Sequence, residues 1–136
     1  MIKPIMKSEF FLRLPSEDAG PDDAATGQDL LDTLHQHEHE CVGLAANMIG
    51  VRKRIICVKD GNRALLMYNP QILEQVNSYQ TSEGCLSLAG ERPCTRYRRI
   101  KVEYLDENFV HRIKNFSGYT AEIIQHEIDH CSGIVI

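Results

Sequence analysis

In the stretch "IIQHEIDHCSGIVI", His126 and His130 stand four residues apart and Glu127 lies beside the first. On a helix, residues four apart differ by about 40° in angle and about 6 Å in rise, so the two imidazoles project side by side. That is the bite for two nitrogens on one metal ion. Glu127, about 100° round the helix, cannot join their shell without strain. It can reach a water in the same site, as a general base does in the H-E-x-x-H signature. The plainer alternative is a pair of surface histidines that fall at this spacing by chance.

A third ligand decides between chemistries. Only six residues follow His130, and Cys131 is turned away by about 100°. The ligand is therefore expected upstream, unlike in secreted metalloproteases of this signature, whose third ligand lies well downstream. Candidates are the other cysteines, His35, His37, His39, His111 and the acids. The run "HQHEHE" spreads around its helix instead of converging, which reads as a solvated helix end. Cys85 in "SEGCLSL" is the strongest candidate: Gly84 frees the backbone, and a following strand would present the thiolate from a rigid edge.

Helices and strands must place these groups. "LPSEDAGPDDAATG" is a loop, and "QDLLDTLHQHEHE" over 28–40 carries leucines at helical spacing, with a cap expected from Thr26 or the aspartates before it. "RIICVKD", "ALLMYNP" and "IKVEYLD" read as strands bounded by Asp-Gly, Asn-Pro and Asp-Glu-Asn turns. "SGYTAEIIQHEIDHCSG" is a helix with Ser117 at its N-cap and Gly133 at its stop, and "GIVI" is expected as a last strand. The fold class is α+β: antiparallel strands packed around a central helix, in one domain over residues 1–136.

Composition narrows the function classes. The chain is 43% hydrophobic and 25% charged, with a net charge of −4, so it carries no electrostatic footprint for nucleic acid. The basic run "RYRRIK" at 96–101 reads as a strand with a solvated face at least as well as an anion site. No apolar run approaches a membrane span, and the first residues lack the apolar core of a signal peptide. Five cysteines without scaffold spacing suggest a reducing compartment, most simply the cytoplasm.

"EGCLS" (83–87) with "QHEIDH" (125–130) resembles the second and third signature motifs of the peptide deformylase family, and "CVGLAANMIG" (41–50) resembles the first. The motifs stand in family order across nearly the whole chain. The resemblance implies Cys85, His126 and His130 as metal ligands and Glu127 as catalytic acid/base. It implies one divalent ion, Fe²⁺ first, with Zn²⁺, Ni²⁺ or Co²⁺ able to occupy the site. The implied reaction is removal of the formyl group from formyl-methionine at a peptide or nascent-chain N-terminus, with the Leu86 N–H donating to the oxyanion. Val42 and Gly43 of the first motif, with Arg92, are expected at the substrate. Arg92 reads equally as a surface charge or a partner for a nearby acid.

The chain also departs from the pattern. Met48 stands where the first motif ends in glutamine, and a thioether has no N–H to donate. Asn47, one residue earlier, would point to the opposite face of an extended segment and could not replace it without a bulge. Cys41 replaces a glycine, either as filler or as an extra thiol near the metal. Glu122, one turn before His126, falls where family members line the methionine pocket with apolar groups. Pointed inward, it would penalise an apolar side chain; pointed at solvent or an arginine, it would change nothing. The C-terminal helix of longer members has no counterpart. The departures keep two alternatives open: a silent homologue that binds metal and a peptide N-terminus, and an amidase for another N-acyl peptide. The intact Glu127 favours an enzyme.

Overall fold

The computed structural model describes residues 1–136. A short helix α1 (Glu9–Leu12) follows an N-terminal arm, and α2 (Ala24–Gln36) follows a loop. Then come β1 (Gly43–Ala45), a 3-10 turn (Ala46–Ile49), β2 (Ile55–Asp60), β3 (Arg63–Gly84), β4 (Glu91–Leu105), β5 (His111–Ser117) and α3 (Gly118–Cys131). The five strands form one antiparallel sheet in the order β1-β2-β3-β4-β5. Helix α3 packs against β1, β2 and β4, which makes it the central helix of an α+β fold. No helix is long and apolar enough to cross a membrane.

Burial explains the choice of elements. In α2, Leu30, Thr33 and Leu34 turn inward at helical spacing, while His35 near its end and His39 beyond it are exposed. The helix starts at Ala24 after the aspartate pair and ends at Gln36, so residues 37–40 of "HQHEHE" form turns. There His37 pairs with Glu40 at 3.0 Å and His35 with Glu38 at 3.4 Å, local pairs in place of a shared centre. The whole of β2 from Ile55 to Val58 is buried between the sheet's neighbours and α3.

Two strand expectations need correction, and one strand was not expected. The Asn-Pro pair does not end a strand: β3 runs through it for 22 residues, with register shifts between Tyr68 and Gln71 and between Ile72 and Glu74. Asn69 takes φ 53° at this bulge, and its side-chain amide pairs with both backbone groups of Ala19 at 2.7 and 2.9 Å. Bulges of this kind bend a strand without ending it. "HRIKNFS" forms β5, which no periodicity announced. "GIVI" is not a strand: the Ile134 N–H closes α3 on the Asp129 carbonyl at 3.0 Å, and residues 134–136 join no ladder.

Gly133 stops α3 as expected, at φ +77°, with its N–H on the His130 carbonyl at 3.0 Å. This is a left-handed helix ending of the kind glycine favours. A Cβ there would also collide with the Arg13 backbone carbonyl. Gly133→Ala should therefore cost about 1–3 kcal/mol, read as a lower midpoint of denaturant unfolding. An unchanged midpoint would show that the ending relaxes without strain.

Candidate active site

Two elements bring the ligand candidates together. His126 and His130 project from one face of α3, their Nε2 atoms 3.0 Å apart. Cys85 stands just past the end of β3, in the turn before β4 begins at Glu91, so the strand that positions it precedes it. The ligand atoms of Cys85, His126 and His130 lie within 4.8 Å of one another. One cysteine sulfur and two imidazoles at this spacing fit a divalent transition metal in a three-ligand site with an open position. The Ser87 N–H points at the Cys85 sulfur from 3.4 Å.

Behind the ligands runs a buried chain of charges that the sequence reading missed. Glu83 holds His126 Nδ1 at 2.8 Å, which turns Nε2 toward His130 and Cys85. Arg96 grips Glu83 through Nε at 3.0–3.1 Å and Nη2 at 2.7 Å, and reaches Asp129 through Nη1 at 2.7 Å. So Arg96 is not on a solvated face of its strand; it is 4% exposed. Desolvation opposes the charge on Glu83, but His126 and Arg96 hold its carboxyl well below the usual range. Burial pulls His126 down, yet its bonds with Cys85 and Glu83 raise it to about 10. Burial and the neighbouring His126 lower His130 to about 3, which keeps its imidazole neutral.

Glu127 is fully enclosed, and burial pushes its carboxyl up to about 7. Its Oε1 has no hydrogen-bond partner in the chain. A carboxyl near neutral pKa with a vacant oxygen can exchange a proton with water. Gly43 makes room for it: a Cβ there would sit 2.9 Å from Glu127 Oε2 and 2.7 Å from Ile123.

The site opens into a cleft of about 900 Å³. Val42, Gly43, Met48, Cys85, Leu86, Glu122, His126 and Glu127 all line it; Arg92 does not, though its neighbour Glu91 does. The Leu86 N–H finds no acceptor within the chain. Met48 is 1% exposed, and its sulfur accepts the Ala45 N–H at 3.5 Å, so it offers the cleft no donor. The segment is a 3-10 turn and not extended, but Asn47 still does not compensate: its amide donates to the His130 carbonyl at 3.0 Å. Glu122 faces the cleft and accepts the Tyr79 hydroxyl at 3.3 Å, with its carboxyl raised by burial and by Glu83. Cys41 also lines the cleft, its thiol pushed up to about 11 by burial and Glu127, as befits filler more than a nucleophile.

If the charge chain orients His126, Glu83→Gln should weaken metal binding about 10–100-fold. It should also lower stability by about 3 kcal/mol, because Arg96 then keeps only the partly exposed Asp129 as a charged partner. Competition with a chelator measures the first effect. Unchanged affinity would mean that α3 alone fixes the imidazole.

Comparison with known proteins agrees with this geometry. The polypeptide deformylase family model matches residues 6–136. A peptide deformylase of Clostridium beijerinckii is 52% identical over 136 residues, covering 100% of both chains. The crystal structure of peptide deformylase from Thermotoga maritima superposes with a TM-score of 0.89 at 28% identity, covering 99% of this chain and 95% of that one. A Met-Ala-Ser-bound class I type b peptide deformylase from Acinetobacter baumannii gives a TM-score of 0.87 at 30% identity, covering 99% and 97%. With its motifs, fold and Cys-His-His cluster in agreement, the chain belongs to the polypeptide deformylase family.

Proposed function

We propose that this chain hydrolyses the N-formyl group from formyl-methionine at a peptide or nascent-chain N-terminus, releasing formate and a free amine. The observation that carries the reading is the convergence of Cys85, His126 and His130 beside a buried, unpartnered Glu127. The three ligands would hold one divalent ion, Fe²⁺ in the first place and Zn²⁺, Ni²⁺ or Co²⁺ as alternatives. Such an ion supplies Lewis acidity to a water and to the formyl oxygen.

The protein's own groups do the rest. Glu127 takes a proton from the attacking water as the new C–O bond forms at the formyl carbon. It returns that proton to the amine as the C–N bond breaks. Glu83 and Arg96 keep His126 aimed, so that the ligands need not reorganise. The Leu86 N–H, without an acceptor in the chain, donates to the oxygen as it becomes anionic. Val42 and Gly43 on the cleft wall, beside Glu122, would receive the first residue of the peptide. Glu122 makes that wall more polar than a methionine side chain requires, and Arg92 would act at most from outside the cleft. Five free cysteines support a reducing compartment such as the cytoplasm.

Formate release from a formyl-Met peptide by protein reconstituted anaerobically with Fe²⁺ or Ni²⁺ tests the reading. Activity is expected; none with metal bound would overturn it. Cys85→Ala and His130→Ala should each lose the metal, whereas Glu127→Gln should keep it and lose turnover. Normal turnover by Glu127→Gln would refute the proton-transfer role.

Met48 should act as the main brake. Met48→Gln is close to isosteric and restores an N–H. It should raise kcat by about tenfold to a thousandfold, with less effect on KM, because the bond forms fully only at the developing charge. No gain would shift the cause to Glu122, which Glu122→Ile in the same background then tests.

A further inference from the structure

The cleft contains a cation that the family motifs do not include. Lys7 is the single lysine or arginine in its lining, set against six glutamates. Its ammonium donates to the Leu86 carbonyl at 2.8 Å, and it is part of no ion pair. An ammonium has three donors, so two remain without a partner in the protein. The backbone around it is tied down. The Met6 N–H donates to the Met48 carbonyl at 2.7 Å, and the Ser8 hydroxyl caps α1 by accepting the Phe11 N–H at 3.2 Å. The arm thus bridges the two residues that bear on the oxyanion, Met48 through its backbone and Leu86 through its carbonyl.

We propose that Lys7 is the electrostatic donor on the oxyanion side of the cleft, its anchored ammonium serving in place of the amide that Met48 lacks. The proposal rests on the deformylase reading above. Negative charge develops on the formyl oxygen at the Leu86 N–H, and the carbonyl that holds Lys7 belongs to that same residue. A positive charge fixed there before reaction needs no reorganisation as the oxyanion forms. Lys7 is an exposed residue, so salt screens it, and it replaces a buried amide only in part.

The test is a double-mutant cycle on metal-loaded protein with a formyl-Met peptide, run beside metal content and unfolding midpoint. Lys7→Met keeps the aliphatic stem and should lower kcat about tenfold or more, with KM, metal content and midpoint little changed. Lys7→Arg keeps the charge and should retain most of kcat. In the Met48→Gln background the Lys7→Met loss should shrink to about threefold or less, because the amide then carries the role. The wild-type rate should also fall as ionic strength rises, and the Lys7→Met rate should not. An active wild type with unchanged kcat in Lys7→Met overturns the assignment of Lys7 alone. Equal losses in both backgrounds also overturn it, leaving Lys7 as a mere tether for the loop. A metal-loaded wild type that releases no formate overturns the deformylase reading, and this inference with it.

Discussion

The site depends on one buried carboxylate. Glu83 lies between the Arg96 guanidinium and His126 Nδ1, with Asp129 on the far side of the arginine. Isolated, each of these charges would be costly to bury; together they satisfy one another, and taking one away exposes the rest to that cost. These charges tie β3 and β4 to α3, which carries His126 and His130, and β3 ends one residue before Cys85. The contact that welds helix to sheet is therefore also the contact that selects which imidazole nitrogen faces the ligand cluster. Stability and ligand geometry have a common cause here.

Around that centre the protein leaves selected groups unsatisfied. Glu127 Oε1 and the Leu86 N–H lack partners within the chain, and both border the cleft. A folded chain rarely tolerates a buried polar atom such as the Glu127 Oε1 without a partner unless something else completes it. One vacancy suits a proton acceptor and the other suits an anion. Met48 is the contrasting case: its sulfur turns to the Ala45 N–H of its own turn, so that wall is sealed where the motif would place a donor.

Local spacing carried much of this in the sequence. His126, Glu127 and His130 are readable because a helix fixes their directions, and Gly133 because only a left-handed ending explains it there. The charge chain was hidden by its company. Arg96 sits in the basic run "RYRRIK", which suggests a wet face, yet it is in phase with Ile100, Val102 and Tyr104, all buried at the two-residue period of β4. The sequence pattern misled where side chains from distant elements override a local signal. Asn69 absorbs the Asn-Pro break by pairing with Ala19, 50 residues away, and the last residues fold back to finish a helix in place of extending the sheet.

The central claim is that Cys85, His126 and His130 share one metal ion. X-ray absorption at the metal edge of Zn²⁺-loaded protein addresses it most directly. The expected shell has one sulfur at about 2.3 Å and two imidazole nitrogens at about 2.0–2.1 Å, with the sulfur lost in Cys85→Ser. A shell of nitrogen and oxygen alone in the unmodified protein would contradict it.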